Sequence, residues 1–328
     1  MSVVESFRGR RILITGGLGF IGSALARRLV DGGAEVTVVD SLIPEYGGNP
    51  FNVSGIEEKL RINYSDVRDE HSFRYLVQGH EVLFNLAGQT SHLDSMRDPF
   101  TDLDINVRAQ LSIVEACRKY NPEIRIVFAS TRQIYGKPEQ LPVGEQHLLR
   151  PVDVNGIHKM AGEWYHILYN NVYGVRACAL RLTNTYGPCM RVKDARQTFL
   201  GVWIRNLVQG EPFEVWGGGQ LRDFTYVDDA VDAFLLAAAK PAGGRIYNIG
   251  GDRAISLADL AELLVSVNGG GTFRCMEFPA ERKGIDIGDY YADDTLARRE
   301  LGWSPRVTLE EGLARTLGYY RQHIEHYL

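Results

Sequence analysis

The spacing of apolar residues changes period along the chain, and those changes predict the fold. Short apolar runs of β type fall at residues 11–14, 35–39, 61–66, 81–87, 125–129 and 176–182. Between several of them lie stretches with apolar residues three and four apart, at 23–30, 102–120 and 155–172. Runs of four to eight rich in Val, Ile and Phe read as buried strands, and the 3.6-residue spacing reads as amphipathic helix. Strands alternating with helices imply a parallel sheet covered on both faces, an α/β protein of the doubly wound Rossmann type. Residues 41–55, rich in Pro, Gly, Asn and Tyr, read as a loop.

The pattern loosens after residue 183. A helix is expected near 198–209 and a strand at 212–216, before a turn at Gly217, Gly218 and Gly219. Residues 220–229 lead into a helix ending near 239, and 245–249 read as another strand. Residues 256–267 are helical, with Ser256 as N-cap and Asp259 in the first turn, and helices at 294–301 and 309–320 close the chain. The expected organisation is a Rossmann domain over 1–183 and a smaller C-terminal substrate-binding domain over 184–328. The two are interleaved by a return to the first sheet within 224–250.

The 328 residues suffice for a sizeable core, and 45 % hydrophobic with 23 % charged content is ordinary for a soluble globular chain. A net charge of −5 with scattered basic residues argues against nucleic acid or an anionic membrane as partner. Cys117, Cys178, Cys189 and Cys275 are widely spaced, so no metal site is expected. Cys189, in a loop, is the expected reactive thiol. A short polar N-terminus without a long apolar run points to the cytoplasm.

The sharpest chemistry lies at the first strand–helix junction. Gly16 suits the tight turn leaving the strand, Gly19 lets backbone N–H groups approach a pyrophosphate, and Gly22 permits close helix packing. The following helix N-terminus offers free donors to phosphates. Asp40 ends the second strand, where an acid grips the adenosine ribose hydroxyls and repels a 2′-phosphate, so NAD is favoured over NADP. Asp66 and Val67 form an acid–apolar pair suited to the adenine edge.

These landmarks stand with Asn85 to Gly88, Ser130 and Thr131, Tyr135 and Gly136, Lys159 and Glu163, Arg181 to Pro188, Gln220 to Phe224, and Gly302, Trp303 and Pro305. Together they resemble the extended short-chain dehydrogenase/reductase superfamily, in its nucleotide-sugar epimerase/dehydratase branch, over essentially the whole chain. The resemblance implies bound NAD, a nucleoside-diphosphate-sugar substrate and a homodimer formed through two helices of each subunit. It implies cofactor contacts from Phe20, Ile21, Leu86, Ala87, Gly88 and Lys159, beside Gly16, Gly19, Gly22, Asp40, Asp66 and Val67. It also implies transient oxidation of a sugar hydroxyl, with Thr131 polarising the reacting oxygen and a tyrosine four residues before Lys159 taking the proton.

Asn155 stands where that tyrosine is expected, and an amide cannot act as a base near neutral pH. Three readings follow. Another group takes the proton, with His158, His92, Tyr135 or Tyr165 as candidates, histidine being the residue type that exchanges protons in the physiological range. Alternatively, Asn155 orients a hydroxyl or water in chemistry needing no tyrosinate, or the chain binds NAD and a nucleotide sugar without turnover. Retention of Thr131 and Lys159 favours an active enzyme.

Sugar dehydratases of this branch carry an acid pair after the threonine, where this chain has Arg132 and Gln133. Epimerisation through a keto-sugar is therefore the first expectation, with dehydration or decarboxylation second; dehydration stays open because Ser91, His92 and Asp94 are dehydratase-like. Arg132 suits an anionic group such as a uronate carboxylate, or an enolate. The resemblance assigns Asn184, Arg222 and Arg282 to the diphosphate or sugar. Arg191, Lys193, Arg196 and Gln197 form a polar run expected at phosphates or the sugar pocket.

Overall fold

The computed structural model describes residues 3–240, 242–279 and 284–328. Strands β1 (Arg11–Thr15), β2 (Glu35–Val39), β3 (Leu60–Asn63), β4 (Val82–Asn85), β5 (Arg125–Thr131) and β6 (Arg176–Leu182) form a parallel sheet. Both of its faces are buried, which is why the strands read as apolar runs without alternation. Ile12 and Ile14 of β1 pack with Leu25 and Leu29 of α1 (Phe20–Asp31), while Leu13 points into a separate core with Ile113 and Val114.

The helices follow the predicted spacing with small shifts. α2 (Glu70–Leu76) follows β3. The helix expected at 102–120 starts earlier and is interrupted. α3 (His92–Arg97) and α4 (Pro99–Leu103) precede a π-helical turn at Asp104–Arg108, and α5 (Ala109–Tyr120) continues from it. Asp98 caps α4 by accepting the Thr101 N–H, with Pro99 at the first helical position. The widened turn leaves the Ile105 carbonyl to Gln110 Nε2 at 3.0 Å, and π turns of this kind recur at functional sites. α6 (Val154–Tyr173) is capped by Asp153, whose carboxylate accepts the Gly156 N–H at 2.7 Å, and ends on the left-handed Gly174. Within the 41–55 loop, Pro50–Val53 forms one 3₁₀ turn.

A second set of elements begins with β7 (Asn184–Tyr186), α7 (Phe199–Val208), β8 (Phe213–Trp216), β9 (Leu221–Tyr226) and α8 (Val227–Ala239). β10 (Ile246–Ile249), β11 (Ala254–Ser256), α9 (Leu257–Asn268), β12 (Phe273–Met276), α10 (Thr295–Leu301) and α11 (Leu309–His323) complete it. β11, β9 and β7 form a three-stranded sheet, and β8 pairs with β12. Their core gathers Trp203, Phe213, Tyr226, Leu260 and Leu313. β10 instead joins the edge of the large sheet beside β6, and α8 packs on α1.

The large sheet has the order β10-β6-β5-β4-β1-β2-β3. The chain runs outward one way from β1 and the other way from β4, so these neighbours flank the switch point. Ligands of open parallel sheets bind in the crevice beyond the carboxyl ends of such strands. Buried polar contacts fix the strands on that side. Arg181 of β6 holds Glu163 of α6 through Nη2 at 2.6 Å and Nε at 2.9 Å, and Glu163 accepts the Ser130 hydroxyl of β5 at 2.6 Å. Removing one partner of such a buried pair typically costs about 3–5 kcal/mol.

Candidate active site

A cavity of about 900 Å³ opens at the switch point, between the carboxyl edge of the large sheet and the second lobe. One end is lined by Gly16, Gly19, Phe20, Ile21, Gly22, Asp40, Asp66 and Val67. Gly16 has φ +67°, and a Cβ on Gly22 would lie 2.1 Å from the Gly16 carbonyl oxygen, so the turn closes only with glycine there. α1 has no side-chain N-cap, which leaves its first-turn N–H groups to a ligand. Asp40 is anchored by the Leu18 and Leu42 N–H groups at 3.1 and 3.0 Å. Burial raises its pKa against those two hydrogen bonds. The unclaimed donors, the glycine turn and the anchored acid fit a dinucleotide pyrophosphate and ribose. Asp66 also lines this end, with Arg68 on its two oxygens at 3.0 and 2.6 Å.

Leu86, Ala87, Gly88, Thr131, Asn155, Lys159 and His92 line the other end. Lys159 Nζ donates to the Ala129 carbonyl at 2.6 Å and sits 4.5 Å over the Phe128 ring. Burial pushes its pKa down to about 8 against the pull of Asp102 and Glu163. Asn155 is 1 % exposed; its amide donates to the Gln89 carbonyl at 2.8 Å, to Gln89 Oε1 at 3.1 Å and to the Asp102 carboxylate at 2.9 Å. Its amide nitrogen is thus consumed by structure.

The candidate bases separate clearly. His158 does not line the cavity; its Nδ1 is held by Asp102 at 2.7 Å. One residue before Lys159, it is rotated by about 100° around α6 from that side chain. Tyr135 is fully buried, donating to Asn248 and receiving from Arg181, both at 2.7 Å, and burial pushes its pKa up to about 12. Tyr165 packs on the core under α5 and is absent from the cavity wall. His92 remains. Its Nδ1 is hydrogen-bonded to Asp153, and its Nε2 meets Gln133 Nε2 at 2.6 Å. Burial pushes the Asp153 carboxyl up, but His92, the Gly156 N–H and Arg132 outweigh it and leave it below its usual value. Sequence reasoning missed Asp153; only the fold reveals that it serves His92. Gln89 and Asp102, which fix Asn155, carried no sequence signal, because their partners lie 66 and 53 residues away.

On the second-lobe side, Arg132, Gln133, Asn184, Gln197 and Arg222 reach the wall. Arg132 Nη2 donates to Asn184 Oδ1 at 3.3 Å, and Asn184 donates to the Asp223 carbonyl at 2.9 Å. Arg222 donates to the Leu221 and Gly288 carbonyls and lies 3.8 Å from Asp286, and burial lowers its pKa to about 10. Arg191 is not brought in. It is spent on Asp194 at 2.6 Å and the Pro44 carbonyl at 2.7 Å, while its own N–H binds Gln197 Oε1. Arg196 reaches the wall instead, paired with Asp94 at 2.9 Å. Arg282 lies outside the described residues. Cys189 is half-buried with Sγ 3.4 Å from Tyr319 Oη, and Cys275 is the exposed thiol. Among the described residues no group of His, Cys, Asp and Glu could hold a metal, and no helix is long and apolar enough to cross a membrane.

Fold and cavity define a Rossmann-type dinucleotide-binding protein whose cavity is lined on one side by a second lobe. The chain belongs to the NAD dependent epimerase/dehydratase family, whose model matches residues 12–250, and its cofactor is NAD. It is 32 % identical over 315 residues to a putative UDP-glucose 4-epimerase of Methanocaldococcus jannaschii, covering 95 % of this chain and 99 % of that protein. It is 30 % identical to a dTDP-glucose 4,6-dehydratase of Streptomyces griseus, covering 95 % and 94 %. The crystal structure of UDP-glucose 4-epimerase from Thermotoga maritima with UDP-glucose superposes with a TM-score of 0.87 at 31 % identity, covering 96 % and 99 %.

Proposed function

We propose that the protein epimerises a nucleoside-diphosphate sugar through a transient keto-sugar, and that His92 takes the place of the missing tyrosine as proton acceptor. NAD, when bound, supplies the hydride acceptor for the sugar carbon. The carrying observation is the His92–Asp153 pair in the wall beside Thr131, at the end that also holds Lys159. The Asp153 carboxylate keeps the proton on Nδ1, so the Nε2 lone pair faces Gln133 and the cavity. A substrate hydroxyl displacing Gln133 passes its proton to Nε2, and the imidazolium forms against the Asp153 charge. Thr131 polarises the same oxygen, and Lys159 holds the cofactor ribose.

Epimerisation is favoured over dehydration because the residues following Thr131 are Arg132 and Gln133, while Asp94 in the same wall is tied to Arg196. Elimination needs a carboxylic acid to protonate the departing hydroxyl, and none stands there. Asn184 and Arg222 are assigned to the diphosphate and sugar. The protein is further proposed to work in the cytoplasm, consistent with its four free cysteines, and as a homodimer through the exposed face of α6.

Proton NMR of the purified protein in D₂O with UDP-, dTDP-, GDP- and CDP-sugars tests the reading. The expected result is a new sugar whose couplings identify the inverted carbon. Deuterium at that carbon would mark enolisation beside a ketone, and inversion without deuterium would mark rotation of the keto-sugar. Binding across the panel with no conversion would favour a protein without turnover.

A further inference from the structure

Arg132 is set apart from the other buried and half-buried arginines of the cavity region by its partners. Arg181 is matched by Glu163 at 2.6 Å, Arg191 by Asp194 at 2.6 Å and Arg196 by Asp94 at 2.9 Å. Arg222 has two backbone carbonyls and Asp286 at 3.8 Å. Arg132 has one hydrogen bond, to Asn184 at 3.3 Å, and lies 5.3 Å over the Tyr290 ring. No carboxylate among the described residues lies within 4 Å of it; Asp153 and Asp223 act on it only from farther off. Burial correspondingly pulls its pKa down. A half-buried guanidinium without a counter-ion still loses part of its hydration, and a cavity wall that keeps one suits an arriving anion.

Its position shows which part of a ligand it meets. Arg132 directly follows Thr131 at the carboxyl end of β5 and opens a single 3₁₀ turn, Arg132–Tyr135. It therefore belongs to the reacting end, across the cavity from the α1 N-terminus. Arg222, on β9 of the second lobe, is a separate cation within electrostatic range of Arg132, and the two charges disfavour each other. Beside Arg132, Gln133 Oε1 is buried with no hydrogen-bond partner, an acceptor suited to a sugar hydroxyl. One uncompensated cation, Arg132, a free acceptor beside it and a second cation, Arg222, on the other lobe match a ligand with two anionic groups separated by a hydroxylated ring.

We propose that Arg132 binds a carboxylate on the sugar ring, so that the substrate is a nucleoside-diphosphate hexuronic acid and not a neutral sugar. This rests on the nucleotide-sugar reading above. The planar guanidinium presents paired N–H donors that suit a carboxylate in bidentate fashion, whereas a neutral hydroxymethyl leaves the charge unmatched. The diphosphate falls to Arg222.

Calorimetric titration of the NAD-loaded full-length protein with UDP, UDP-glucose and UDP-glucuronate separates the possibilities. Wild type is expected to bind UDP-glucuronate about 10- to 100-fold tighter than UDP-glucose, the range of a charge-assisted hydrogen-bonded pair. Arg132→Gln should abolish that preference and leave UDP affinity within about twofold, while Arg132→Lys, which keeps the charge and guards against misfolding of the first variant, should retain part of it. Equal or tighter binding of UDP-glucose by wild type overturns the uronate assignment alone. A parallel loss of UDP affinity in Arg132→Gln overturns it too, by giving Arg132 to the diphosphate. Failure of wild type to bind any of the three, or their dTDP, GDP and CDP counterparts, overturns the nucleotide-sugar reading and this proposal with it.

Discussion

The side-chain amide of Asn155 donates to the buried carboxylate of Asp102 at 2.9 Å. The position that the family resemblance reserves for a tyrosine is therefore part of a closed hydrogen-bond network that also includes Gln89. Asn155→Tyr would force a larger ring into a site that is 1 % exposed and leave Asp102 and Gln89 with fewer donors. Overpacking of this kind costs about 1–3 kcal/mol, and lost buried hydrogen bonds add to it. The variant should melt several degrees lower and show no gain in turnover. A melt unchanged from wild type with a tenfold gain in epimerisation would mean instead that the asparagine is a decayed tyrosine.

If His92 accepts the proton, its partner carboxylate matters through charge. Asp153→Asn keeps an oxygen to accept the Gly156 N–H and so preserves the α6 cap, but removes the negative charge beside the imidazole. Turnover should fall about 10²- to 10³-fold, with the melting temperature and NAD affinity close to wild type. His92→Gln should fall at least as far, and the double variant no further than His92→Gln, because the two act as one unit. Additive losses would show that Asp153 acts independently of His92.

The parts visible in the sequence are those set by local chemistry. The sheet strands, the glycine turn, Asp40 and the Ser256 cap all announce themselves within a few residues, through apolar runs, φ-permissive glycine and short-range hydrogen bonds. The roles of the histidines did not. His92 and His158 looked equivalent as candidates, and only the packing of α3 and α4 against α6 gives one to Asp153 at the cavity and the other to Asp102 behind it. Arg191 was drawn to the pocket by its place in a polar run, but the Asp194 side chain three residues on captures it. Such pairings depend on distance in space, for which spacing in sequence carries no code.

Lys159 gives a pH signature with a definite sign. Burial holds its pKa at about 8 in the folded chain, against a usual value of 10.5. Between these values the unfolded chain carries the proton and the folded chain does not, so this group makes stability rise with pH across that window. Below about 8 the penalty is full, on the order of 3 kcal/mol from the usual 1.4 kcal/mol per pKa unit. Lys159→Met should therefore be more stable than wild type at pH 7 in urea unfolding without cofactor, by about 2 kcal/mol after allowing for the lost bond to Ala129. That advantage should vanish near pH 10 and reverse above it, where only the lost bond to Ala129, about 1 kcal/mol, remains. An advantage independent of pH would mean that the ammonium is not desolvated.

The helix that carries Asn155 and Lys159 inward shows an apolar stripe outward. Ile157, Trp164, Leu168 and Val172 are 49, 49, 48 and 61 % exposed, at spacings of seven and four that put them on one side of α6. Phe100 of α4, a helix packed on α6, is 76 % exposed, and Met96 of α3 is 52 % exposed. Exposed apolar side chains aligned in this way on a water-facing helix suit an interface, and a second copy of the same stripe would cover them by an isologous contact. Light scattering after size exclusion should give twice the chain mass for wild type and the chain mass for Trp164→Glu combined with Leu168→Glu. Because Lys159 and Asn155 sit on the opposite side of the same helix, loss of the partner should also weaken turnover, with far-UV circular dichroism unchanged. A wild type that elutes as a monomer at micromolar concentration would remove the dimer and leave the stripe unexplained by self-association.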